Sequence, residues 1–388
     1  MKLLLSLTYY HPHVSGLTVY VQRLAEGLAG RGHDVTVLTA RYDANLPKRE
    51  ILNGVKVVRV PAPIRVSKGL LMPSYPLAAA RLLKRCDAVI VNLPSTPGET
   101  SLALLARTLI RRPTVAVYHC DVQLSGGKLS RWIDRAVFLD NWIVASLVHK
   151  VVAYTRDYAN HSPLLQKFVS KIQVIPPPVA VAPADPSEVR NFRNRFSQQG
   201  EVLIGFPARF ATEKGVEVVI RALGMLRERL GPVRILFAGP YKNVIGEKHY
   251  QKKMEPLLSC EQDNWVFLGV LSPAEMALFY GACDLVVLPS LNSTESFGLV
   301  QVESMLSGTP VVSSDLPGVR IPIQTTGMGV IAPPGDIRAF ADGVIEVIEN
   351  RSIYCRERSH ISQHYSLEGT LNEYEKLLLH LMELKNKR

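Results

Sequence analysis

The chain has 388 residues, of which 47% are hydrophobic and 20% charged, a globular balance with room for two domains, each with its own core. No apolar run reaches the roughly 18 residues of a membrane span, and five scattered cysteines (Cys86, Cys120, Cys260, Cys283, Cys355) without CxxC spacing argue for a reducing compartment and against a disulfide frame or zinc site. The net charge of +11 is uneven: residues 1–175 carry 23 Lys and Arg against 10 Asp and Glu, and the remainder carries 22 against 24.

The opening Met-Lys-Leu-Leu-Leu-Ser-Leu runs at once into Tyr9, Tyr10, His11 and Pro12. Its apolar stretch is too short for a signal peptide and predicts a buried strand over residues 3–7. Residues 17–30 carry a helical stripe of Val21, Leu24, Ala25 and Leu28. Strands follow at 34–39, 54–60, 88–91, 114–118 and 150–153, separated by helix-length segments. This βα alternation implies a parallel sheet. Residues 176–200 interrupt it: Pro176, Pro177, Pro178, Pro183 and Pro186, then a polar stretch from Asn191 to Gly200, read as a linker. Alternation restarts with strands at 202–206, 233–237, 265–267, 285–288 and 310–313, and helices near 215–229, 273–281, 298–307 and 336–348. An amphipathic tail bearing Leu371, Tyr374, Leu377, Leu378 and Leu381 closes the chain. The predicted fold is α/β, with two doubly wound Rossmann-like domains, 1–178 and 179–360, and a helical tail, 361–388, packing back on the first.

In such sheets ligands bind beyond the carboxyl ends of the strands, so the loops after strands carry the chemistry. The chain has neither GxGxxG after its first strand nor GxxxxGK[ST], which argues against a dehydrogenase and a P-loop enzyme. It also lacks Asp-x-Asp, a carboxylate arrangement for a metal-nucleotide. Residues 295–303, Glu-Ser-Phe-Gly-Leu-Val-Gln-Val-Glu, follow an apolar run ending at Pro289 and the polar Asn292, Ser293 and Thr294. Strand, loop and helix N-terminus are implied, a turn that aims backbone N–H groups at an anion. Two carboxylates, Glu295 and Glu303, lie up to roughly 12 Å apart at 1.5 Å per helical residue. They can hold two parts of one extended ligand such as a nucleotide sugar. Arg209 and Lys214, in the loop Pro207–Gly215 where another strand turns into a helix, form a candidate diphosphate clamp of planar fork and point charge. Taken alone they would read as two solvated loop cations.

The Arg209…Lys214-Gly215 loop and the pair Glu295…Glu303 resemble the signature of family 4 (GT4) glycosyltransferases. Gly32-His33-Asp34-Val35, the turn around Pro12 and Gly16, Phe267-Leu268-Gly269, Leu278-Phe279-Tyr280 and Asp284…Pro289-Ser290 are similar to that family too, so the resemblance spans nearly the whole chain. It implies a GT-B fold with a central cleft and metal-independent transfer of a hexose from a UDP- or GDP-sugar, with retention at the anomeric carbon and no cofactor or metal. Carried over to this chain, Glu295 contacts donor-sugar hydroxyls. The N–H groups of Phe297, Gly298 and Leu299 meet sugar and phosphate, and Glu303 takes the ribose. Arg209 and Lys214 bind the pyrophosphate, and the backbone near Gly269, Val270, Leu271 and Ser272 reads the base. Gly16 lets backbone approach the phosphate, although the family often has two glycines where this chain has Ser15-Gly16. His119 corresponds to a histidine facing the donor sugar, where a lone histidine would otherwise read as structural, and His11, His13 and Asp121 are acceptor-side candidates, with Asp121 also read as orienting the ring or only capping the next turn. Cys120 reads as a small buried residue rather than a nucleophile, and Tyr280 and Asp284 as core and turn.

A double displacement needs a carboxylate nucleophile beneath the anomeric carbon. None is marked by the motif, which favours front-face substitution. The basic half reads as a surface for anionic partners, or as solubility alone. Its cationic-apolar segments are 65–85 (Arg65, Lys68, Leu70, Leu71, Met72, Arg81, Lys84, Arg85) and 128–150 (Lys128, Arg131, Trp132, Arg135, Phe138, Trp142, Ile143, Val144, Lys150). Tryptophan beside cations and aliphatics suits a membrane interface, and an ordinary helix with one core side fits the same pattern. The expected protein is therefore cytoplasmic, peripheral on the membrane, and glycosylates a lipid or lipid-linked glycan. An epimerase or disaccharide synthase on a soluble acceptor, and a non-catalytic sugar-nucleotide-binding protein, are the other readings. No nucleic-acid reader motif is present.

Overall fold

The computed structural model describes all residues except 67–68, 124–127, 199, 245 and 387–388. Lys68 of the first basic segment lies outside the described residues. The chain divides into two compact units, residues 1–178 with 366–388 and residues 179–365.

The first unit is built on strands β1 (Lys2–Ser6), β2 (Asp34–Arg41), β3 (Arg49–Leu52), β4 (Val55–Pro61), β5 (Ile64–Val66), β6 (Gly69–Leu71), β7 (Ala88–Leu93), β8 (Thr114–Tyr118), β9 (Lys150–Ala153) and β10 (Ile172–Val174). β5 and β6 form a separate antiparallel ribbon. The others make an eight-stranded sheet in the order β10-β9-β8-β7-β1-β2-β4-β3. It is parallel except for β3, which pairs antiparallel with β4. Ala88–Leu93 and Thr114–Tyr118 are buried at every residue, because helices cover both faces of a parallel sheet and leave no polar side to alternate. The helix Gly16–Gly30 buries Tyr20, Val21, Leu24, Ala25 and Leu28 and is capped by Ser15, whose hydroxyl accepts from the Thr18 N–H.

The last helix, Leu367–Asn386, belongs to this unit and buries Leu371, Tyr374, Leu377, Leu378 and Leu381. Its outer groups are held by Arg31, which bonds Glu368 and, at 2.7 Å, Glu375, and by His33, 2.7 Å from Glu375. Residues 366–388 carry four acidic and four basic side chains, so the charge excess of this unit stays where the sequence puts it.

The second unit has β11 (Val202–Pro207), β12 (Val233–Ala238), β13 (Trp265–Gly269), β14 (Leu285–Leu288), β15 (Val311–Ser314) and β16 (Gly329–Ala332), all parallel, in the order β13-β12-β11-β14-β15-β16. The chain direction across the sheet reverses between β11 and β14, the switch point at which open α/β sheets bind ligands.

The linker expected over 176–200 is corrected in its second half, which forms the helix Pro186–Phe196. Asp185 caps it by accepting from the N–H groups of Ser187 and Glu188, and Pro186 sits in the first turn, where a missing N–H costs nothing. Phe192 is buried, and Arg193 bonds the Ala282 carbonyl at 2.7 Å and Asp284 at 2.8 Å. Polar composition marks the solvent face of this helix rather than a flexible tether. β16 was not foreseen. It opens on Gly329, whose φ is +148° and where a Cβ would lie 1.8 Å from the Val311 carbonyl oxygen, so the residue that permits this strand reads in sequence as a breaker.

Candidate active site

At the switch point of the second unit, the loop after β11 meets the loop after β14. Gly215 has φ +70°, and a Cβ on it would stand 2.1 Å from the Pro289 carbonyl oxygen. The Leu291 N–H donates to the Glu213 carbonyl at 2.9 Å. Backbone is thus packed directly on backbone, which fixes the separation of the two loops. Across that seam Lys214 Nζ lies 2.6 Å from Glu295 Oε2, with side chains 18% and 16% exposed. The other oxygen of Glu295 accepts from the Gly298 N–H at 3.0 Å. Arg209 is paired with Glu213 and is the more open of the two cations. The turn Thr212–Lys214 is pinned from beneath by buried Glu247, which accepts from the Thr212 N–H at 3.1 Å and its hydroxyl at 2.8 Å.

Gly298 starts the helix Leu299–Leu306 with φ +76°, and a Cβ there would fall 2.3 Å from Leu288 Cδ2. The sequence assigned its N–H to a ligand; in this structure Glu295 holds it. Phe297 is buried against Tyr365, so only its backbone can face a ligand. Glu303 is 7% exposed and accepts from Tyr280 Oη at 2.6 Å. Tyr280, read from the sequence as core, is therefore also a group that orients this carboxylate. The Leu-Phe-Tyr run gave no signal for that, because the contact spans 23 residues. Gly269 ends β13 with φ +74° and open space where a Cβ would be, followed by exposed Val270 and half-buried Leu271.

In the first unit, His119 follows β8 and is 6% exposed. Its Nδ1 is bonded by Tyr154 Oη and its Nε2 lies 2.8 Å from Asn92 Oδ1. Tyr20 packs edge-on to the ring at 4.9 Å and bonds Tyr374 of the last helix at 2.6 Å. Burial pushes the imidazole down to about 3, so it is neutral at any ordinary pH. Asp121 is tied elsewhere: it accepts from Tyr118 Oη at 2.7 Å, Ser162 Oγ at 2.8 Å and Tyr158 Oη at 2.9 Å. Three hydroxyl donors make it an anchor for the segment after β8. In the loop after β1, His11 is exposed, and Arg59 holds its carbonyl at 2.8 Å. His13 is half-buried and lies 4.9 Å, centroid to centroid, from Tyr9. Gly16 stands at the start of its helix with nothing near the position of a Cβ.

The two halves of the chain match two family descriptions. Residues 15–178 match "Glycosyl transferase 4-like domain" and residues 188–364 match "Glycosyl transferases group 1". The chain is a GT4-type glycosyltransferase. Among relatives of this GT4 enzyme, the phosphatidyl-myo-inositol mannosyltransferase of Mycobacterium tuberculosis is 28% identical over 342 residues, 86% of this chain and 84% of the relative. The alpha-monoglucosyldiacylglycerol synthase of Streptococcus pneumoniae is 24% identical over 321 residues, 79% and 70% of the two chains. The sucrose-phosphate synthase of Thermosynechococcus elongatus superposes with a TM-score of 0.79 over 99% of both chains at 18% identity. The fold of this glycosyltransferase is GT-B. Among the described residues no helix is long and apolar enough to cross a membrane.

Proposed function

We propose that this glycosyltransferase moves a hexose from a UDP- or GDP-sugar to a lipid or lipid-linked glycan acceptor, with retention at the anomeric carbon and without a metal. The observation that carries the donor half is the Lys214–Glu295 pair on the seam of two loops at the switch point. Lys214 is already held in place by the carboxylate that is to meet the sugar. Arg209, beside it in the same loop, offers a second cation, and together they neutralise charge on the departing nucleotide diphosphate. That assigns to fixed side chains the work a metal ion does in enzymes with Asp-x-Asp. Glu303, aimed by Tyr280, takes the ribose hydroxyls. Front-face substitution fits, with the leaving phosphate accepting the acceptor proton.

The membrane half rests on the helix Lys128–Leu147. Trp132 is 67% exposed, Leu139 57%, Trp142 40% and Phe138 37%. At helical spacing these share one face with exposed Arg131 and Arg135, and Arg135 stands 5.5 Å over the Trp132 ring. Apolar rings among cations, on the unit that carries the positive excess, suit an anionic lipid surface. Relatives named for phosphatidyl-myo-inositol and for monoglucosyldiacylglycerol support the same reading.

The test is a thermal-shift screen with UDP-, GDP- and ADP-sugars, followed by release of nucleotide from the sugar that binds. Release that depends on Lys214 and is unchanged by EDTA supports the donor reading. Release that needs added metal overturns its metal-free part. Failure to sediment with anionic vesicles at low salt overturns the membrane half alone.

A further inference from the structure

The surroundings of His119 form one directed chain of hydrogen bonds across the first sheet. β9, β8, β7 and β1 are neighbours in that order. Each gives one member at or just past its carboxyl end: Tyr154 after β9, His119 after β8, Asn92 on β7 and the Ser6 carbonyl on β1. Asn92 Nδ2 donates to Ser6 O at 2.9 Å. A backbone carbonyl can only accept, so the amide nitrogen must face Ser6 and the amide oxygen must face His119. The group 2.8 Å from that oxygen is His119 Nε2, which must then carry the hydrogen. Nδ1 is left as acceptor and takes the Tyr154 hydroxyl. Every direction in the chain follows from its last member.

We propose that Asn92 and Tyr154 are positioning residues that lock His119 in its Nε2–H tautomer, so that it serves glycosyl transfer as a fixed neutral group and never as a proton carrier. This rests on the reading of His119 as a donor-facing residue. Burial of the ring acts in the same direction. Of the ionisable groups on the elements packed against it, Tyr20 and Tyr154 meet the ring. Tyr374 lies behind Tyr20. On its own segment Cys120 and Asp121 follow, the latter occupied by three hydroxyls. None of these brings an unscreened charge to the imidazole. A neutral ring suits a site where positive charge develops on the sugar, since an imidazolium there would oppose it. It also leaves the acceptor proton to the leaving phosphate.

The experiment is an imidazole ¹⁵N NMR titration of the full chain labelled at histidine, with His119 assigned by His119→Gln. The expected spectrum shows one Nε2–H tautomer that does not titrate between roughly pH 5 and 8, the interval in which an ordinary histidine changes charge. Asn92→Asp places a carboxylate on Nε2 and raises the imidazole pKa. It should introduce titration of that ring and an acid limb in kcat, falling about tenfold per pH unit, with the donor KM unmoved. Tyr154→Phe leaves Asn92 and Ser6 in place, so the ring should stay Nε2–H, with its Nδ1 signal shifted by the loss of the hydroxyl donor. A wild-type His119 that titrates in this interval, or is a mixture of tautomers, overturns the lock, and needs no variant to fold. A locked ring in an enzyme whose transfer is indifferent to His119→Gln overturns instead the place of His119 in the reaction.

Discussion

The two units carry different kinds of site at the carboxyl ends of similar sheets. In the second unit the candidate functional groups are charged and paired: Lys214 with Glu295, and Arg209 with Glu213. In the first unit the corresponding position after a central strand holds an uncharged network of histidine, tyrosine and asparagine, and the carboxylate that follows it, Asp121, is engaged by hydroxyl donors. The difference is in what each arrangement can answer. Ion pairs on a fixed seam can exchange partners with an incoming anion at little reorganisation, because the cation is already in place. A buried neutral network cannot take up charge without a large desolvation cost, so it can only shape and orient. The one site is built to manage charge, and the immediate surroundings of His119 are built to keep the ring neutral.

The largest break in that contrast comes from removing Lys214. Lys214→Ala leaves Glu295 without its cation and, on the proposed function, the diphosphate without its point charge. The expected loss in kcat is about 10²- to 10³-fold, the size seen for removing one donor to developing charge. Glu295→Ala should fall in the same range. Steady-state transfer assays check both, and a loss below tenfold in Lys214→Ala would remove the charged half of the comparison. Next in size is the response of the first unit to acid. His119 is neutral when folded, with a pKa near 3, against about 6.5 unfolded. Below 6.5 the unfolded chain binds the proton and the folded one does not. Stability is therefore fully present above 6.5 and is lost as pH falls toward 3, by about 1.4 kcal/mol per pH unit. Thermal melts at pH 6.5 and 5 should differ by about 2 kcal/mol more in the wild type than in His119→Gln. Equal differences would mean that the pocket admits water and charge.

These sites were not equally legible in the sequence. Arg209, Lys214, Glu295 and Glu303 stand at recognisable spacings, because a short strand–loop–helix step places them and its geometry is local. The left-handed Gly215 and Gly298 belong to the same step and are visible for the same reason. The neutral network was not legible beyond His119. Asn92, Tyr154, Tyr20 and Tyr374 come from strands and helices brought together only by the sheet order, and the Tyr20–Tyr374 bond spans 354 residues. The hydroxyl partners of Asp121 were hidden for the same reason, since Tyr158 and Ser162 lie about 40 residues downstream. The alternation of strands and helices was clear, but it missed the short strands β3, β5, β6 and β10, and failed where composition masked it, at the polar helix Pro186–Phe196 and the glycine-led β16.

The smallest effect tests whether the second unit is charged machinery throughout or borrows a neutral support of the kind found in the first. Glu303 is held by the Tyr280 hydroxyl at 2.6 Å, both side chains buried. Tyr280→Phe keeps the ring and its packing against Phe279 and removes only the donor. A hydrogen bond to a charged group contributes roughly 1.5–3 kcal/mol. The carboxylate that loses it regains part of that from water or from the ribose, so the net effect belongs near the lower end. If Glu303 contacts the ribose in ground and transition state alike, the loss is uniform binding. The donor KM should then rise about tenfold with kcat unchanged, and the acceptor KM should not move. A fall in kcat instead would place Glu303 among the groups that meet developing charge, and the division between its aimed carboxylate and the Lys214–Glu295 pair would have to be redrawn.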